Sequence, residues 1–115
     1  MLDTINYQTH NDTDVNIDGT YLQGYVSASY DTLKTLFGQP TESDGYKIDC
    51  EWNVEFDDGT VVAIYNWKNG FNYLGADGLH PSQINEWHVG GHDSDAMHRI
   101  IETLAAYREA SQGGE

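Results

Sequence analysis

Between Ile48 and Asp57 the chain alternates without a break. Ile48, Cys50, Trp52, Val54 and Phe56 form one series; Asp49, Glu51, Asn53, Glu55 and Asp57 form the other. A period of two is that of a β-strand, whose successive side chains leave on opposite faces. One face of this strand therefore enters an apolar core, and the other presents the carboxylates of Asp49, Glu51, Glu55 and Asp57. Alternate side chains on a strand stand roughly 6.5–7 Å apart, twice the rise per residue. That is about double the 3.4 Å step between phosphates along one strand of B-DNA, which lends the column a nucleic-acid-like acidic character.

The rest of the composition has the same sign. Nineteen Asp and Glu stand against five Lys and Arg, a formal charge of −14 over 115 residues. A surface of that charge repels nucleic acid and anionic membrane and attracts basic proteins. Acidity can also mark disorder, but three Trp, eight Tyr and three Phe supply ample material for a core. The length suits one domain. Cys50, the single cysteine, lies in the apolar series and reads as a buried thiol. Neither a leader-like segment nor a long apolar run is visible, so the expectation is a cytoplasmic protein without membrane association.

Residues 1–18 are polar and read as an arm with a short edge strand; residues 19–110 read as one α+β domain, and 111–115 as a flexible tail. Tyr21–Val26 is a strand, with Gly24 marking a bulge or close approach. Ser29 caps a helix over Tyr30–Phe37, ended by Gly38 and Pro40. The alternating strand extends over Tyr46–Phe56, and Asp57-Asp58-Gly59 turns it into a return strand over Thr60–Trp67. Val61, Ala63, Tyr65 and Trp67 share one face of the return strand; Val62, Ile64 and Asn66 share the other. Residues 72–83 read as a surface loop. Ile84–Val89 is a last short strand that Gly90-Gly91 breaks. Asp93 or Ser94 then starts a helix with a stripe of Met97, Ile100, Ile101, Leu104 and Ala105. The expected architecture is a small two-layer α+β domain, an antiparallel sheet of about four strands packed with two helices.

Reactive constellations are sparse. His88, His92 and His98 invite a metal reading, but the intervening Gly90-Gly91 does not give the helical His-x-x-x-His geometry. No metal or other cofactor is expected. Asp49, Glu51 and Glu55 have a spacing compatible with paired acid–base carboxylates, yet any alternating acidic strand has it. With no nucleophile elbow or identifiable Cys–His pair, no catalytic residue is assigned. The aromatic residues Tyr65, Trp67, Phe71, Tyr73 and Trp87 gather in the second half. Trp67 and Trp87 read as core. Phe71 and Tyr73, in a Gly- and Asn-rich segment, read as partner anchors within a rim of Asp57, Asp58, Asp77 and Glu86.

Three blocks, Asp44–Trp52, Asp58–Lys68 and Ile84–Gly91, together resemble a family of small, poorly characterised bacteriophage and prophage proteins. The resemblance implies an accessory role inside the host cell and carries over no catalytic residue. Small acidic phage proteins resemble antagonists of host nucleic-acid-binding defences. The expected function is thus a protein-binding inhibitor, of anti-CRISPR or anti-restriction type, acting on a basic host protein by nucleic-acid mimicry. The alternative is a small-ligand-binding or metabolic accessory protein that uses the Gly90-Gly91 turn.

Overall fold

The computed structural model describes residues 5–41, 50–67 and 74–113. Five strands form one antiparallel sheet: β1 (Tyr7–Thr9), β2 (Tyr21–Ser27), β3 (Glu51–Phe56), β4 (Val61–Tyr65) and β5 (Glu86–Gly91), in the order β1-β3-β4-β5-β2. Helix α1 (Tyr30–Phe37) follows β2, helix α2 (Asp95–Gly113) follows β5, and 3₁₀ turns occupy Gly75–Asp77 and Pro81–Gln83. The α+β class is as expected from the sequence, and the five described strands are close to the expected number of about four.

The alternation of β3 is realised face for face. Trp52, Val54 and Phe56 are buried, while Glu51, Asn53 and Glu55 are half-buried on the other side. Val62 and Ile64 of β4, Trp87 and Val89 of β5, and Val26 of β2 join the same apolar face. Leu33 and Phe37 of α1 and Ala96, Ile100 and Leu104 of α2 close over it, so both helices pack on one side of the sheet. Burying each large aliphatic or aromatic side chain contributes about 1.5–3 kcal/mol, which makes this layer the main source of stability.

Two indoles tie the sheet to the ends of α1. Trp87 Nε1 donates to the carbonyl of Ala28 (2.9 Å), just ahead of the helix, and Trp52 Nε1 donates to Gly38 (2.8 Å), just past it. The rings meet edge to face at 5.3 Å. Between these anchors α1 ends as its sequence predicts. Ser29 Oγ accepts from the Thr32 amide, and Gly38, at φ 83°, donates its amide to Lys34.

The β3–β4 hairpin closes through Asp57-Asp58-Gly59, with Gly59 at φ 89° and its amide bonded to the Phe56 carbonyl. This is a three-residue loop with its glycine in the left-handed position. The anticipated edge strand in the N-terminal arm is β1, pinned by Tyr7, whose hydroxyl donates to Leu36 O (2.8 Å) and whose ring leans on Phe37 and Phe56.

The boundaries around β5 and α2 differ from the sequence reading. Gly90 and Gly91 do not break the last strand; they are its final residues, paired with Ala63 and Val62 on one side and Leu22 and Tyr21 on the other. The reason is packing. A Cβ on Gly91 would stand 2.3 Å from Ala96 Cβ, so glycine lets α2 lie directly on β5. Helix α2 begins at Asp95, with Asp93 Oδ1 accepting from the Asp95 amide. It runs on to Gly113, through residues 111–113 that composition assigned to a tail.

Strand β2 forms one edge of the sheet and carries a bulge at Gln23, where the register shifts between Leu22 and Gly24. The Ala28 amide bonds Asn85 O, so alternation turns the peptide groups of Tyr25 and Ser27 toward the open edge. Arg108 of α2 donates to the Ser27 carbonyl there.

Candidate functional site

Because both helices cover one face, the opposite face of the sheet has no described helix upon it. Register places its side chains in rows. Glu51 pairs with Tyr65, Tyr65 with His88, and His88 with Tyr25, which gives one row across β3, β4, β5 and β2. The next row is Asn53, Ala63, Gly90 and Leu22, and beyond it Glu55 pairs with Val61 and with Gln8.

The first row is a run of touching rings. Tyr25 meets His88 edge-on at 4.8 Å, His88 stacks on Tyr65 at 5.5 Å, and Tyr65 meets Trp67 edge-on at 6.2 Å. Small residues lie alongside: a Cβ on Gly90 would make ordinary contacts, 3.6 Å from Tyr65 Cε1 and 3.7 Å from Ala63 Cβ. The ends of the run are open, with Tyr25 52 % and Trp67 38 % exposed. Glu86, on the same face as His88, is exposed and pairs across with Ser27.

The electrostatics follow from this crowding. Burial lowers the His88 pKa against the opposing pull of Glu86, which favours a neutral imidazole. Burial, followed by the charges of Glu51 and Tyr25, raises the Tyr65 pKa.

The residues singled out in the sequence divide into separate groups. Glu51 and Glu55 share the face of β3 opposite the described helices, Asp57 is exposed at the following turn, and Glu86 joins them from β5. Asp58 belongs to another environment. Its Oδ1 accepts from the Thr60 amide, and its Oδ2 receives Arg99 Nε and Nη2 at 2.9 and 2.8 Å. Those contacts, the Thr60 bonds first and then Arg99, pull its pKa down to about 2. Asp58 thus links the hairpin to α2. Asp77 is exposed on the 3₁₀ turn Gly75–Asp77. Asp49, Phe71 and Tyr73 lie outside the described residues.

Trp87 is fully buried as expected, but Trp67 lies on the face of Tyr65 rather than in the core. The parity of β4 already separated Trp67 from Val62 and Ile64, so a signal for its exposure was present. Tyr25 and His88 were missed as members of one site. Each looks ordinary in its own strand, and only the β2–β5 register joins them.

His92 is exposed beyond β5 with its ring beside Gly19, and His98 is exposed on α2, 3.9 Å from Asp95. Among the described residues no three His, Cys, Asp or Glu converge as metal ligands. Gly90 and Gly91, being buried strand residues, do not form the turn on which a small-ligand reading depended. A surface groove of about 490 Å³ follows α2 past Asp95, His98, Arg99, Ile101 and Glu102, on residues apart from the ring row. No described helix is long and apolar enough to cross a membrane.

Fold and site together define a two-layer α+β protein with an aromatic and acidic sheet face. Comparison with protein-family models, curated proteins and solved structures found no match.

Proposed function

We propose that this protein binds a basic partner protein through the face of its sheet opposite the two described helices. In its fuller form the reading is antagonism of a host nucleic-acid-binding defence protein in the host cytoplasm, with the acidic face occupying a cationic groove made for nucleic acid. The observation that carries the reading is the gathering of Glu51, Glu55 and Glu86 on the same face as the Tyr25–His88–Tyr65 rings. Carboxylates accelerate encounter and impose salt dependence, while desolvated aromatic rings supply most of a lasting interface's binding energy. The formal charge of −14 acts in the same direction on any cationic surface.

The test is capture from host lysate followed by affinity measurement on the purified partner at low and high salt. A variant carrying Glu51→Gln, Glu55→Gln, Asp57→Asn and Glu86→Gln should bind at least about tenfold more weakly, the factor given by 1.4 kcal/mol. Nucleic acid should compete with the protein for that partner. Unchanged affinity in the variant would exclude the acidic face, and simultaneous binding of nucleic acid would exclude mimicry.

A further inference from the structure

We propose that the Tyr25–His88–Tyr65 row, together with Glu86, is a receptor for the guanidinium of an arginine side chain. This deepens the reading of the face opposite the described helices as a partner surface and rests on it.

Tyr25 and His88 stand at 72° with centroids 4.8 Å apart, forming a corner, and Tyr65 backs His88 in a 28° stack. Tyr25 is half exposed at the edge of the sheet, so its ring can be reached from solvent. Glu86 lies on the same face two residues before His88, diagonal to Tyr25 in the β2–β5 register. Diagonal neighbours in an antiparallel pair are about 7–8 Å apart, within reach of long side chains. A planar cation laid against the Tyr25 ring therefore has a carboxylate beside it to accept its N–H groups.

Three kinds of occupant suit an exposed row of rings, and charge separates them. A nucleobase would stack, but its phosphates would enter the field of a chain with formal charge −14. An apolar side chain would draw nothing from the carboxylate of Glu86, which is exposed. A cation gains from the ring faces and from the carboxylate together. Between the two cationic side chains, guanidinium is planar, more weakly hydrated and able to stack and hydrogen-bond at once, whereas ammonium is a compact, strongly hydrated charge. Of the chain's own described cations, Lys34 lies over Tyr30 and Arg99 on Asp58 and Glu102, while Arg108 borders the site, lining a groove with Tyr25 and donating to the Ser27 carbonyl.

The experiment titrates the full chain with Nα-acetyl-arginine amide, the matching lysine amide and the neutral citrulline amide. Ring signals of Tyr25, Tyr65 and His88 are followed by NMR. Arginine should shift all three and bind about tenfold more tightly than citrulline, with lysine between them. Tyr25→Leu and Glu86→Gln should each weaken arginine binding severalfold, while Asp31→Asn, at an exposed position of α1, should leave it within about twofold. Circular dichroism checks each fold. Should Tyr25→Leu unfold, the exposed Glu86→Gln variant decides. Equal binding of arginine and citrulline, equal binding of arginine and lysine, or indifference to Glu86→Gln would overturn the assignment. If it falls while capture of the purified partner still depends on the four carboxylates, the partner surface stands without this receptor. If capture ignores those carboxylates, the surface itself is wrong, whatever arginine does.

Discussion

Asn53 stands between Glu51 and Glu55 on β3, and its Oδ1 is enclosed with no donor among the described residues. An enclosed acceptor without a partner costs roughly 1–3 kcal/mol of lost solvation. The near-isosteric Asn53→Leu should therefore leave stability unchanged or raise it by about 1 kcal/mol, read from the urea midpoint. A clear loss would mean that the amide has a partner. His88 gives a second residue-scale expectation. Its folded pKa is depressed, so the stability contributed by its neutral form is complete above about pH 6.5. It is lost as pH falls through the lower folded value. Urea midpoints at pH 7.5 and 5.5 should differ more for the native chain than for His88→Phe. An equal difference would remove His88 as the cause.

At the scale of elements, the Asp58–Arg99 contact joins the β3–β4 hairpin to α2. Asp58 is depressed to about 2, chiefly by the Thr60 bonds and then by Arg99, so its contribution is present above the ordinary carboxylate value near 4 and lost as pH falls toward 2. Asp58→Asn should flatten the stability profile between about pH 4 and 2 relative to the native chain, measured by thermal melts. Profiles of equal slope would assign the acid limb to other carboxylates. The elements themselves were largely legible. Parity placed Trp52, Val54 and Phe56 inward, Ser29 and Gly38 bounded α1, and Asp57-Asp58-Gly59 announced the hairpin. What stayed hidden depended on neighbours in space. Gly90-Gly91 has the composition of a turn, and only the close approach of Ala96 explains Gly91 within a strand. The ring row needed the order β4-β5-β2, which no local pattern in Tyr25 or His88 encodes. The acidic column was readable one strand at a time; that Glu86 joins it from β5 was not.

For the whole molecule, a formal charge of −14 opposes compaction through self-repulsion. Raising ionic strength from about 0.01 M to 1 M shortens the screening length from about 30 Å to 3 Å. The melting temperature should rise by about 5 °C, equivalent to roughly 1 kcal/mol for a domain of this size. A melting temperature that falls with sodium chloride would show that attractive pairs such as Arg99 with Asp58 outweigh the repulsion. The same salt should weaken partner capture, so folding and binding would respond to it in opposite directions.

Strand β2, Tyr21–Ser27, has no charged residue in a chain that is 21 % charged, and it forms an edge of the sheet. Bare edges of this kind template the addition of strands from other molecules, the first step toward aggregation. Two devices already described act against that outcome. The Gln23 bulge interrupts the straight run that a second strand would need, and Arg108 occupies the outward carbonyl of Ser27. Arg108 thereby serves as a gatekeeper from the opposite layer, and the charge missing from β2 is supplied by α2.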